Sequence, residues 1–135
     1  MPDQAFGEFA RTRRETLRET DRSYSVRQVA GRIGVEPSYL SKVERGHVPP
    51  PSEETVIRLA DVLGEDPDVM LALAGKVSSD LKEAIRRRPR LFAELIRDLR
   101  DMPDHAVLRL VREVRDGDWG EEADRKSAGK LKRDK

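Results

Sequence analysis

Ser38, Tyr39, Ser41, Lys42 and Arg45 bring three hydroxyls, an ammonium and a guanidinium together in one short stretch of the 135-residue chain. No nucleophile stands beside a base here. The chemistry on offer is reversible: hydroxyls donate and accept hydrogen bonds, and the two cations make charge-assisted bonds to anions. For these groups to share one exposed face, the intervening Leu40 and Val43 must point the other way, as their i, i+3 spacing on a helix provides. Pro37 suits the first position of that helix, and Gly46 ends it.

A second, shorter pattern precedes it. Val26, Val29, Ala30 and Ile33 recur at helical spacing, with Arg27, Gln28 and Arg32 on the wet side. Ser25 is placed to cap this helix through its hydroxyl. Gly34 closes it, Val35 plugs the corner, and Ala30 is small enough for the following helix to cross nearby. Two ordinary packed helices share the periodicity but rarely the whole set of apolar, small and turn positions from Val29 to Val43.

These residues, with the run Leu-Ser-Lys-Val-Glu-Arg-Gly at 40–46, resemble the XRE-type (lambda-repressor-like) helix-turn-helix domains over about residues 6–75. The resemblance implies an all-α, five-helix DNA-binding domain followed by a short C-terminal helical extension, and double-stranded DNA as partner. Ser38, Tyr39 and Lys42 are then the base-reading residues in the major groove, Lys42 suiting guanine O6 and N7 and Ser38 being permissive. Ser25, Val26, Gln28 and Arg45 are expected at the DNA backbone, the first three through a helix N-terminus facing phosphate. Ala30, Gly34, Leu40 and Val43 hold the motif. The resemblance also pairs an arginine of the first helix, Arg14, with Glu44 near the end of the reading helix. Residues 15–24 form a longer link than the family's usual one, which puts the Arg14 assignment in question.

Composition sets the bounds. Apolar residues make up 36% and charged residues 39%, so thin cores under heavily solvated helices are expected. Without cysteine, and with only His47 and His105, no disulfide framework, metal site or cofactor is expected, nor any catalytic residue. No signal peptide or membrane span is legible, so a cytoplasmic protein is expected. The net charge of +1 is unevenly spread: residues 1–48 carry +2, 49–75 carry −5, and 76–135 carry +4.

Residues 1–75 read as the DNA-binding domain. Its first helix spans about Ala5 to Thr20, with Phe6, Phe9, Ala10 and Leu17 inward and Arg11, Arg13, Arg14 and Arg18 outward. Glu36 is expected to cap the reading helix. Three prolines, Pro49 to Pro51, force an extended turn. Ser52 and Asp66 then cap helices carrying Val56, Ile57, Leu59, Ala60 and Leu63, and Val69, Met70, Leu71 and Leu73.

Residues 76–119 read as a helical extension for dimerisation or partner binding. Ser79 caps a helix to about Arg88 with Leu81, Ala84 and Ile85 inward. Phe92, Leu95, Ile96 and Leu99 share their spacing with Val107, Leu110, Val111 and Val114, as in an antiparallel hairpin. Arg86, Arg87, Arg88 and Arg90 form a basic run that ordinarily solvates a surface, and Trp119 is placed as an anchor folding back on the hairpin. Residues 120–135 read as a disordered charged tail. The expectation is a sequence-specific transcriptional regulator, a homodimeric repressor on a partly palindromic operator. The alternative is an antitoxin-like or protease-regulated module whose C-terminal helices bind a protein partner while its DNA domain autoregulates. A third is a nonspecific nucleoid-type binder, marked by strong salt dependence.

Overall fold

Every element of the computed structural model is helical; it describes residues 2–117 and residue 119. Eight α-helices and no strand occur among these residues: α1 (Pro2–Arg18), α2 (Val26–Ile33), α3 (Pro37–Glu44), α4 (Glu53–Leu63), α5 (Pro67–Leu73), α6 (Ser79–Arg87), α7 (Pro89–Arg100) and α8 (Asp104–Asp116). Contacts divide the chain into two compact units, Met1–Arg87 and Arg88–Lys135. The tail at 120–135 lies outside the described residues.

In the first unit, apolar stripes from five helices close one core around Phe6, Ala10, Val29, Ile33, Leu40, Val43, Val56, Leu59, Leu63, Met70 and Leu71. Ile57 and Val69, expected inside, are exposed instead, because each stands off its helix's buried stripe. Caps fix the helix ends. Ser25 Oγ accepts from the Gln28 N–H at 3.2 Å, Ser52 Oγ from Thr55 at 3.4 Å, and Asp66 Oδ1 from Asp68 at 2.8 Å. Gly34, at φ 78°, lets the Val35 N–H return to the Ala30 carbonyl at 2.9 Å and so sets the α2–α3 turn.

The long link after α1 folds locally. Asp21 caps a short 3-10 turn, Arg22–Tyr24, and accepts from the N–H and hydroxyl of Ser23. Those two bonds, with a smaller contribution from Arg32, hold the Asp21 carboxyl below its ordinary value against a slight opposing desolvation. Its stabilisation is complete above the ordinary aspartate range and is lost as pH falls through the lowered folded value. Arg32 stacks on the Tyr24 ring at 4.7 Å and donates to the Ser23 carbonyl, tying the turn to α2.

One polar contact crosses the core. The Arg14 guanidinium donates to both Glu44 carboxylate oxygens, Nε to Oε2 at 2.7 Å and Nη2 to Oε1 at 3.0 Å, and Nη1 donates to the Tyr24 carbonyl at 3.0 Å. Arg14 is 3% exposed and Glu44 5%. The bidentate fork and the third bond give these charges partners in place of water, and they join α1, the link and the last turn of α3. Beside it, Gly7 brings α1 against the backbone of Val43 and Glu44. A Cβ there would lie 2.7 Å from the Glu44 carbonyl oxygen and closer still to that of Val43.

The first compact unit includes α6. Ser78 is buried and its Oγ accepts from the Leu81 N–H at 3.2 Å, so the cap of α6 is Ser78. Ser79, expected as that cap, instead donates to Glu53 through its N–H and its hydroxyl, each at 3.2 Å. Lys76 Nζ donates to the Pro51 carbonyl at 3.1 Å. These bonds hold the start of α6, while Leu81 and Ala84 stay exposed because no further helix of this unit covers them. In the second unit α7 and α8, joined by the short turn at 101–103, line one open apolar groove as a loose helical hairpin, with no buried side chain among the described residues. Trp119 Nε1 donates to the Val114 carbonyl at 2.7 Å, which folds the indole back along α8 but leaves it 52% exposed.

Removing one partner of the buried pair strands the other charge, so Arg14→Ala or Glu44→Ala is expected to lower unfolding free energy by about 3–5 kcal/mol. The apolar double variant Arg14→Met/Glu44→Leu is expected to recover most of that loss, both read by urea denaturation. Gly7→Ala sets a helix-propensity gain of about 1 kcal/mol against a backbone clash. Overpacking of about 1–3 kcal/mol is expected to win, giving a lower midpoint.

Candidate nucleic-acid interface

The reading helix is short, and three constraints aim it. Leu40 and Val43 anchor its inner side in the core, Gly34 sets its start relative to α2, and the Glu44 ion pair fastens its end to α1. What remains outward is polar. Ser38 and Lys42 are exposed one turn apart, at the i, i+4 spacing that stacks them along one face. Tyr39 is half-buried and packs its ring against the core, which leaves less of it for a ligand than the sequence alone implied. Glu36 occupies the N-cap position of α3, but its side chain makes no capping bond. Its expected role as a side-chain cap is therefore not seen, and the residue is exposed.

Of the residues expected at the DNA backbone, Val26 and Arg45 come together in one cleft and Ser25 and Gln28 do not line it. Val26, Ser41 and Arg45 line a polar cleft of about 350 Å³ together with Arg11 and Glu15, and the Arg14–Glu44 pair borders it. Arg45 Nη2 donates to Ser41 Oγ at 2.7 Å, which holds the guanidinium along α3. The first N–H groups of α2, at Val26 and Arg27, precede its intrahelical bonds, so that helix end offers donors beside the cleft. Gln28 is exposed one turn into α2, while the Ser25 hydroxyl is occupied as the cap.

The four arginines of α1 separate by partner. Arg13 donates to the Leu63 carbonyl at 3.2 Å and pairs with Glu65 at 3.0 Å, tying α1 to the end of α4. Arg14 is in the buried pair, and Arg18 is exposed on the last turn. Arg11 faces the cleft, held by Glu15 through an exposed contact at 3.1 Å. Such a pair contributes little in water and exchanges readily for another anion. A neighbouring hollow of about 270 Å³ adds Gln4, Glu8 and His47 to Arg11 and Arg45. The signal for this α1 stripe was available: Gln4, Glu8, Arg11 and Glu15 recur at i, i+4, i+7, i+11, a polar line down one helical face.

Among the described residues no cluster of three or more His, Cys, Asp or Glu side chains stands at metal-binding distance. No helix there is long and apolar enough to cross a membrane. No curated protein and no solved structure shows significant similarity to the chain. The family model described as "Helix-turn-helix domain" matches residues 5–73, which take in α1 through α5 and the whole of the cleft. The matched span holds the capped α2, the left-handed turn at Gly34 and the outward polar face of α3, and the chain belongs to the helix-turn-helix domain family of DNA-binding modules.

Proposed function

We propose that this protein is a sequence-specific transcriptional regulator of the XRE type, acting in the cytoplasm as a homodimeric repressor on a partly palindromic operator. The observation that carries the reading is the exposed Ser38–Lys42 face of α3, held rigidly beside the α2 N-terminus and Arg45. A helix of this width enters the major groove, where Lys42 donates to guanine O6 or N7 and Ser38 exchanges hydrogen bonds with whichever base edge it meets. Tyr39 contributes ring contact to a thymine methyl or a sugar. Val26, Gln28, Ser25 and Arg45 grip the flanking phosphates, with Arg11 added from α1, and these contacts set register without reading sequence. One α3 spans only a few base pairs, so a second copy on the other half-site supplies the remaining affinity and specificity.

A second reading shares the same DNA domain. In it the hairpin α7–α8, whose apolar side chains are exposed, binds a different protein that regulates the module, as in antitoxin-like systems.

The test is binding of the full chain to the duplex upstream of its own gene against scrambled DNA at near-physiological salt. A preference of about a thousandfold or more is expected for a specific regulator, whereas equal weak binding to both overturns it. Lys42→Ala is expected to cost about 1–3 kcal/mol and to relax preference at one base position. Arg45→Ala is expected to weaken every duplex alike and to reduce the salt slope by about 1. Uniform loss in both variants would sink the assignment of Lys42.

A further inference from the structure

An open apolar groove lies wholly within the second unit. Leu95 and Leu99 of α7 and Val107, Leu110, Val111 and Val114 of α8 line a groove of about 370 Å³. It is open: Leu95 is 46% exposed and Val114 65%. Neither helix buries any residue among those described, although each repeats apolar positions at i, i+3, i+4, i+7. Two helices of 12 and 13 residues are nearly equal in length, and alone they are marginal in water. Their apolar stripes lack a covering partner within the second unit.

Charge along the hairpin identifies that partner. Its open end, residues 88–94 and 109–117, carries five arginines against three carboxylates, net +2. Its turn end, residues 95–108, carries two arginines against Asp98, Asp101 and Asp104, net −1. A twofold axis along the helices would set turn beside turn and basic end beside basic end. An axis perpendicular to them sets the acidic turn of each copy beside the basic open end of the other, and covers all four apolar stripes with helices of matching length.

We propose that the α7–α8 groove is occupied by the same groove of a second copy, making an antiparallel four-helix bundle whose register is set by the acidic turn of one chain against Arg112 and Arg115 of the other. The inference rests on the dimeric reading above and adds its surface and its geometry. The bundle is self-complementary, since every side chain buried by one copy is buried by its partner, and the flanking charges oppose the parallel alternative.

The experiment is sedimentation of the full chain at tens of micromolar without DNA, where about twice the 15.4 kDa chain mass is expected. Leu95→Glu/Val111→Glu alters only exposed positions of the second unit, so it is expected to give the monomer mass while the melting transition of the first unit is unchanged. Asp98→Arg/Asp101→Arg is expected to raise the dissociation constant by about tenfold or more, as is Arg112→Glu/Arg115→Glu. Mixed, the two charge variants are expected to form a heterodimer in preference to either homodimer, with helix content by circular dichroism kept throughout. A monomeric wild-type chain, or a dimer that survives the groove variant, overturns the proposal. Charge variants that fail to weaken the homodimers or to favour the mixed pair overturn the antiparallel arrangement. DNA preference is read separately: a chain that discriminates its operator yet stays monomeric sinks this inference together with the homodimeric part of the reading above and leaves the sequence-specific regulator standing, and a dimer with no sequence preference sinks only the regulator reading.

Discussion

The buried contact between Arg14 and Glu44 is the constraint on which the outward polar face of α3 depends. An eight-residue helix has too few hydrogen bonds to hold its own orientation, so α3 takes its direction from what it touches. Apolar packing of Leu40 and Val43 sets its depth but leaves rotation and tilt loosely determined, since dispersion contacts are not directional. The fork of Arg14 on Glu44 is directional. With the Gly7 backbone pressed on the same turn, it fixes the far end of the helix while Gly34 fixes the near end. Recognition of a base edge depends on hydrogen-bond geometry, which is why a charged pair with no direct ligand contact governs this surface.

Cations in the first unit divide by what already occupies them. Arg13, Arg14, Arg32 and Arg58 donate to backbone carbonyls, and of these Arg58 reaches the Ile33 carbonyl at the end of α2 at 3.2 Å. They are scaffold. Lys42, Arg45 and Arg11 stay on or beside the outward face, the first exposed and the other two held only by exposed contacts. The modest net charge of residues 1–48 conceals this, because formal charge does not separate guanidiniums satisfied within the fold from those offered to solvent. On the proposed reading, such a surface binds DNA chiefly through placed contacts and has a shallow nonspecific well.

The second unit follows a different economy. Its helices carry apolar stripes as regular as those of the core, yet two helices expose one stripe's worth of surface however they pack. The first unit solves the same problem with five helices wrapped around one centre. In the hairpin the unsatisfied stripe and the uneven charge along it lie on the same short element, so in the proposed dimer association and register share one stretch of sequence.

Several elements were legible because their causes are local. Ser25, Gly34, Ser52 and Asp66 act within one turn of themselves, and the apolar periodicity of α2 and α3 needs no partner to be read. The helix-turn-helix therefore stood out from residues 25–46 alone, and the hairpin stripes from spacing. Where choice among equivalents was involved, sequence was insufficient. Ser78 and Ser79 are equally good caps, and Glu53, distant in the chain, takes the second and leaves the first for α6. Glu36 stands where a cap belongs but makes no such bond, and Ile57 and Val69 face out because burial depends on which neighbouring helices arrive. The same holds for the arginines of α1: four like residues on one helix acquire different roles because Leu63, Glu65, Glu44 and the cleft lie at different distances in space. Sequence by itself determined which segments are helical, where they stop and which faces are apolar, since backbone propensity and capping are short-range. Tertiary structure alone decided which polar group is held inside the fold and which stays on the outward face, since that follows from contacts among residues far apart in the chain.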